Sequence, residues 1–312
     1  MTKSLVAGVA GFLGSNLAAE LLRRGHSVVG VDNYATSDNR NLLQLRENPQ
    51  FDFRRMSVTD AEEVSNIGQL DYVFHFASPA SPPKYLKLGL ETIKVNTDGT
   101  ENLIKLALQH SARLIYASTS EVYGDPLVSP QPESYWGNVN PIGPRSVYDE
   151  AKRLGETLVA LYSRERGLNA GIVRIFNTYG PGMDPFDGRV VSTFIRQALA
   201  LEPMSIFGDG SQTRSFCYVD DLIDGILRMA ETSGFGPVNL GNPTEMNLLT
   251  LGKIVAESLG VEADFTFHPL PEDDPKQRRP DISLAKELFG WEPRIPLEVG
   301  IPKTADWIRA RV

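Results

Sequence analysis

Apolar, β-branched runs recur near residues 4–9, 27–31, 71–76, 113–117 and 171–176. Between them lie segments such as "NLAAELLRRG" and "TENLIKLALQH", in which apolar residues return with a helical period. Strands alternating with amphipathic helices predict an α/β fold, a Rossmann-type doubly wound parallel sheet covered by helices on both faces. Beyond about residue 177 the pattern loosens: prolines and glycines are frequent, helical segments shorten, and strands such as "MSIFG" and "DFTFH" stand apart. A smaller C-terminal α/β substrate domain is expected there. The helical "YVDDLIDGILRMAE" and the short strand "PVNLGN" still fit the first sheet, so the division is expected to be interleaved. Residues 1–176 with about 215–242 form the Rossmann domain, and about 177–214 with 243–312 form the substrate domain.

Composition narrows the partners. With 312 residues, 41% hydrophobic and 22% charged, the chain has an ordinary globular balance and a sizeable core. A formal charge of −8 excludes a broad basic surface for nucleic acid or anionic lipid, so any anion is gripped by a few local arginines and lysines. The single cysteine, Cys217, makes no internal disulfide and fits a reducing, cytoplasmic setting. The opening "MTKSLVAGVAGFLG" is short and broken by glycine, and no apolar run reaches the ~20 residues that span a bilayer, so neither export nor membrane insertion is expected. His75 sits on an apolar strand, and four histidines without ligand spacing predict no metal site.

Chemistry enters with "GVAGFLGS", where Gly8, Gly11 and Gly14 fall between a strand and a helix. Glycines there allow a tight turn and close approach of backbone to a pyrophosphate, while the helix N-terminus supplies donors. Asp32 ends the next strand, where a carboxylate accepts bonds from an adenosine ribose and repels a 2'-phosphate. NAD is therefore favoured over NADP. A second motif, "YDEAK", puts Tyr148 and Lys152 on one face of a helix, one turn apart. An ammonium ~4 Å from a phenol contributes ~4 kcal/mol at an effective dielectric of ~20, enough to bring a tyrosine of pKa ~10 down toward neutral pH and make it a base. The carboxylate of Glu121, after the hydroxyl residues of "ASTSEVYGDP", lies at a strand's carboxyl end, where such sheets bind ligands, or else caps local amides.

With these elements the chain resembles the extended short-chain dehydrogenase/reductases that act on nucleotide sugars. The strings "HFASPASPP" (75–83), "YWGNVNPIGPRSVYDEAKR" (135–153), "DGRVVSTFI" (187–195), "GDGSQTRSF" (208–216), "NLGNP" (239–243), "DDPKQRRPDI" (273–282) and "GWEP" (290–293) narrow the similarity to its UDP-glucuronate decarboxylases. The resemblance implies 4-oxidation of UDP-glucuronate by bound NAD, loss of carbon dioxide from the 4-ketone, and return of the hydride. It implies Tyr148 as base, Lys152 as its tuner, Thr119 as a hydrogen-bonding assistant, Glu121 beside the substrate carboxylate, and Arg214 in the proton-donor or water-organising role. For the cofactor it implies Gly8, Gly11, Phe12, Leu13, Gly14, Asp32, Asn33, Ser57, Val58 and Ala77 beside Tyr148 and Lys152. For the UDP-sugar it implies Pro79, Ser81, Ser120, Asn177, Arg189, Val190, Phe207, Gln212, Arg214 and Arg278, with Arg189 and Arg278 on the diphosphate and Arg279 a surface charge. Phe207 fits either uracil or the core. By analogy a homodimer through helices near 85–109 and 146–166 is expected. Asp220 and Asp221 are expected to cap a helix start.

Three positions depart from the family pattern. Ser57 replaces an aspartate usual against the adenine, Val9 replaces a further glycine, and Gly182 replaces an arginine common in the decarboxylases. Two rival functions follow: a nucleotide-sugar 4,6-dehydratase or 4-epimerase, which shares cofactor, fold and base, and a non-catalytic NAD-binding regulator, which an intact Tyr148, Lys152, Thr119 and Glu121 argue against.

Overall fold

The computed structural model describes residues 1–269 and 277–312; residues 273–276 of the "DDPKQRRPDI" string lie outside it. Its first six strands are β1 (Lys3–Ala7), β2 (Ser27–Asp32), β3 (Phe51–Arg55), β4 (Tyr72–His75), β5 (Arg113–Thr119) and β6 (Ala170–Ile175). The later strands are shorter: β7 (Thr178–Tyr179), β8 (Met204–Phe207), β9 (Thr213–Ser215), β10 (Cys217–Tyr218), β11 (Val238–Leu240), β12 (Glu245–Asn247), β13 (Phe265–His268) and β14 (Gln277–Arg278). The helices up to the middle of the chain are α1 (Phe12–Arg23), α2 (Ala61–Ser65), α3 (Pro82–Lys87), α4 (Gly89–Asn96), α5 (Asp98–His110) and α6 (Ser146–Arg166). There follow α7 (Val190–Leu199), α8 (Val219–Glu231), α9 (Leu248–Leu259), α10 (Ser283–Phe289) and α11 (Leu297–Arg309).

The main sheet has seven strands in the order β3-β2-β1-β4-β5-β6-β11. All its pairings are parallel. The chain reverses its direction of travel between β1 and β4, and the carboxyl ends of those strands open a crevice. Burial follows a period of two: on β5, Leu114 and Tyr116 face the core shared with Leu103, Ile104 and Val159, while Ile115 faces the opposite core with Leu17, Phe74 and Ile226. The second core continues through Phe194, Leu251, Ile301 and Ile308 into the C-terminal elements, which carry a β12-β9-β14 sheet and a β8-β13 pair. The "PVNLGN" strand lies in the main sheet as β11, beside β6.

Local chemistry explains where the site-bearing helices begin and end. Helix α6 runs 21 residues without proline and stops at Gly167, whose φ of +67° is a left-handed cap that favours glycine. Helix α8 does not use its aspartates as expected, because its N-cap is Tyr218 with no side-chain bond. Asp221 instead reaches across to accept the amides of Arg294 at 2.9 Å and Ile295 at 2.8 Å, tying the segment before α11 to α8. A buried carboxylate satisfies distant backbone donors here rather than its own helix.

Candidate active site

A cleft of about 1040 Å³ opens at the carboxyl ends of the central strands, beneath α3 and the start of α7. Gly8, Gly11, Phe12, Leu13, Gly14, Ser81, Thr119, Ser120, Glu121, Tyr148, Lys152, Asn177, Arg189, Val190, Phe207, Gln212, Arg214 and Arg278 line it. Asp32, Asn33, Ser57, Val58, Ala77 and Pro79 lie outside that lining.

The turn after β1 is a cradle that no larger residue fits. Gly8 has φ +83°, and a Cβ there would come within 2.7 Å of the Phe76 and Ala77 backbone. A Cβ on Gly14 would collide with the Gly8 carbonyl. Gly11 caps α1 with no side chain, leaving the first amides of α1 to a ligand. Behind the turn, Asp32 accepts from the amides of Ala10 at 3.0 Å and Tyr34 at 2.8 Å and from the Ser37 hydroxyl at 3.2 Å; burial nevertheless pushes its carboxyl up. Asn33 accepts the Ala35 amide at 3.0 Å, and the Ser57 hydroxyl is engaged with that of Thr59 at 2.8 Å. A glycine cradle, an uncapped helix end and a carboxylate at the tip of β2 together fit a dinucleotide without a 2'-phosphate.

At the reactive end, Lys152 is 3% exposed and donates to the Ala117 carbonyl at 2.8 Å. Its ammonium lies 5.0 Å from the Tyr116 ring centre and 5.9 Å from that of Tyr148. Tyr148 stacks on Tyr85 with ring centres 5.0 Å apart, and Thr119 lines the same cleft. The expected lowering of Tyr148 is not found: burial pushes the phenol well above its ordinary value, and the charge of Glu121 adds to that. Lys152 is itself pushed down to about 7 by burial, so the tuning ammonium is marginal near neutral pH.

Glu121 does not stand alone. It takes Arg278 at 2.9 Å and 3.2 Å, one contact on each oxygen, and Arg145 at 2.7 Å. Burial would raise its pKa, but the two guanidiniums outweigh that and hold it at about 2. The repulsion expected between Glu121 and a substrate carboxylate is therefore offset by two cations. Arg278 is corrected by the same contacts: 2% exposed, and bonded also to the Ser120 hydroxyl at 2.9 Å and the Gly124 carbonyl at 3.2 Å, it has no fork to turn toward a diphosphate. Arg214, expected in the proton-delivery role, lies beside Arg278 in strand register and donates to the Thr213 carbonyl at 2.9 Å. The cations on Glu121 are Arg278 and Arg145. Asp149, next to Tyr148, is pushed up to about 7 by burial and by Glu121.

The outer rim is looser. Arg189 begins α7 and pairs with Asp187 at 3.1 Å. Phe207 is 46% exposed, which removes its reading as a core aromatic, and Gln212 donates to the Phe207 carbonyl. Lys84 bridges Asp184 and the Thr36 carbonyl, both at 2.8 Å, across the cleft mouth. Arg279 is half-buried rather than a surface charge and donates to the Pro243 carbonyl at 3.0 Å. His75 is fully buried against Thr100 at 3.0 Å, and the described residues hold no cluster suited to a metal ion.

Comparison with known proteins gives this geometry its relatives. The model of the NAD dependent epimerase/dehydratase family matches residues 4–241. The chain belongs to that family. UDP-glucuronic acid decarboxylase 2 of Arabidopsis thaliana is 48% identical over 308 residues, 99% of this chain and 68% of that protein. UDP-glucuronic acid decarboxylase 1 of Xenopus tropicalis is 45% identical over 98% of this chain and 72% of its own length. Among solved structures, UDP-glucose 4-epimerase of Thermotoga maritima, with UDP-glucose, has a TM-score of 0.91 at 30% identity over 99% of both chains. UDP-glucuronic acid 4-epimerase of Bacillus cereus, in complex with UDP-glucuronic acid and NAD, has a TM-score of 0.88 at 30% identity over 100% of both chains.

In this member of the epimerase/dehydratase family NAD is the cofactor, and the glycine cradle and Asp32 have the chemistry to hold it. Among the cleft residues not singled out from the sequence are Arg145, Tyr85 and Lys84. Arg145 stands three residues before Tyr148, a spacing that puts both on one face of α6, and that spacing is a signal the sequence carried. Among the described residues the hydroxyls of Tyr85 and Ser81 are buried with no hydrogen-bond partner, and both residues line the cleft, so donors remain for a bound sugar. Gly182 has φ +95°, and a Cβ there would meet the Asn16 amide nitrogen at 2.8 Å, so the arginine of relatives has no easy place on this backbone.

Proposed function

We propose that the protein converts UDP-glucuronate to UDP-xylose by oxidation at carbon 4, decarboxylation and re-reduction. The observation that carries this reading is the pairing of two guanidiniums, Arg145 and Arg278, with one carboxylate, Glu121, beside Tyr148. Two guanidiniums at the reacting end of the cleft suit a uronate rather than a neutral hexose.

NAD, when bound, supplies the hydride acceptor at carbon 4 and a positive ring that favours phenolate at Tyr148. Tyr148 takes the proton of the 4-hydroxyl, with Thr119 in the same cleft to assist by hydrogen bonding. The 4-ketone lies β to the carboxylate, so carbon dioxide leaves with its electrons delocalised into an enolate. Arg278 and Arg145 stabilise that negative charge by position, while Glu121 keeps them fixed. The enolate then needs a solvent-derived proton at carbon 5, because loss of a carboxylate as carbon dioxide consumes one. A guanidinium is too weak an acid to give it, so a water in the cleft supplies it under the field of the cationic pair. Arg189 and Arg214, on the rim, suit the diphosphate.

The reading includes a homodimer, supported by Leu90 and Ile93 on α4 and Leu154 and Leu161 on α6, apolar residues that the described chain leaves exposed. A monomeric mass in solution scattering would contradict it. The function is tested by mass spectrometry after incubation with UDP-glucuronate and NAD: a UDP-pentose is expected. A uronate of unchanged mass whose NMR spectrum shows inversion at carbon 4 would make the protein a 4-epimerase, and unaltered substrate would favour a regulator.

A further inference from the structure

Lys152 is buried beside groups that are themselves neutral. From β4 it faces His75, pushed down to about 3 by burial and by Lys152. From β5 it faces Tyr116 and from its own helix Tyr148, two phenols pushed up by burial. Glu156 stands one turn further along α6 and accepts from Ser118, the residue next to the Ala117 carbonyl to which Lys152 donates. Glu156 is held in place by other elements: the Ser118 hydroxyl on β5 donates to it at 2.5 Å, and Arg174 on β6 grips both its oxygens at 2.9 Å and 2.8 Å. Arg174 is fixed in turn by the Tyr123 hydroxyl at 3.0 Å and the Glu133 carbonyl at 3.1 Å. The network pins the strand end that carries Thr119 to the helix that carries Tyr148 and Lys152.

We propose that Glu156 is a positioning residue that keeps Lys152 charged, and that Arg174 sets how much of the Glu156 charge reaches it. The geometry gives Glu156 no route to substrate, since it does not line the cleft. Its effect passes through Lys152, which the family resemblance makes the tuner of Tyr148 in its ammonium form; for activity the inference rests on the proposed function. The two neighbours act with opposite sign. Removing the carboxylate charge removes the attraction that favours ammonium, whereas removing the guanidinium unmasks the carboxylate and strengthens it.

The test titrates Lys152 directly in 15N-lysine-labelled enzyme, its signal assigned by disappearance in Lys152→Met. Glu156→Gln keeps the shape and the bond to Ser118, and is expected to move the midpoint down by about one pH unit. Arg174→Gln is expected to move it up, and Glu156→Asp to return it toward the wild-type value. The alkaline limb of kcat against pH should move the same way as each midpoint. A purely structural brace would lower kcat in both charge variants at every pH and shift neither midpoint, which would overturn the proposal, as would shifts of the same sign. If Glu156→Gln does not fold, Arg174→Gln decides alone: an unmoved or lowered midpoint sinks the inference. If the wild type releases no carbon dioxide, the functional reading falls while the lysine titration still judges this one.

Discussion

At the sheet end of the cleft, Thr119, Tyr148, Lys152 and Arg278 are each less than a tenth exposed, and Lys152 and Arg278 are bonded to partners from other elements. At the opposite rim, Phe207 is 46% exposed, and the Lys84–Asp184 pair keeps 27% and 35% of its side-chain surfaces in solvent. The first region is a set of charges taken out of water, where losing one partner strands the others. The second is a wet edge, where single contacts are worth little and are easily replaced. Chemistry needs fixed geometry at the reacting carbons, while a nucleotide entering and leaving needs a rim that opens.

Breaking the sheet end should produce the largest effect. Tyr148→Phe keeps the ring stacked on Tyr85 but removes the ionisable oxygen, and is expected to cut carbon dioxide release by about a thousandfold or more with NAD content unchanged. Wild-type turnover in that variant would remove Tyr148 from the mechanism. Next comes Arg278→Met, which leaves Glu121 with one cation; breaking such a buried pair costs about 3–5 kcal/mol, read as a lowered denaturation midpoint. The same variant has a pH signature. A carboxylate held at about 2, against an ordinary 4.5, contributes stability that is full above 4.5 and is lost as pH falls toward 2. Without Arg278 the folded value rises toward 4.5, so this acid-dependent loss should shrink and end at higher pH, and an unchanged acid denaturation curve would count against the pairing.

The cofactor edge should respond less. Asp32→Gly removes the carboxylate at the tip of β2 and is expected to relax discrimination against NADP by about tenfold, checked by comparing dissociation constants of the two dinucleotides. The smallest effect belongs to the rim: Lys84→Met breaks a half-exposed pair worth up to about 1 kcal/mol, so the NAD dissociation constant should change by less than about fivefold. A hundredfold change there would erase the contrast between the two regions.

The same contrast explains what was legible in the sequence. Tyr148 with Lys152, and the glycines with Asp32, are fixed by one helix turn or one βαβ unit, so their spacing is visible along the chain. Arg278 was visible as a basic residue in a shared string, but not its destination, because β14 pairs with β9 out of chain order and the contact with Glu121 spans 157 residues. Arg145 was passed over although its spacing from Tyr148 is local. The direction of the Tyr148 shift was read wrongly for a definite reason: a pairwise charge argument counted the nearby ammonium and left out the cost of burying a phenolate. Asp221 was read as a cap because its neighbours suggest a helix start, whereas the donors it satisfies come from residues 294 and 295.

The central claim is that one pocket oxidises carbon 4, loses the carboxylate and returns the same hydride. UDP-glucuronate carrying deuterium at carbon 4, incubated with the enzyme and NAD in ordinary water, tests it most directly by mass spectrometry and NMR of the product. The account predicts UDP-xylose that retains deuterium at carbon 4 and has gained one solvent hydrogen at carbon 5. A pentose that has lost its deuterium, or a uronate of unchanged carbon count, would contradict it.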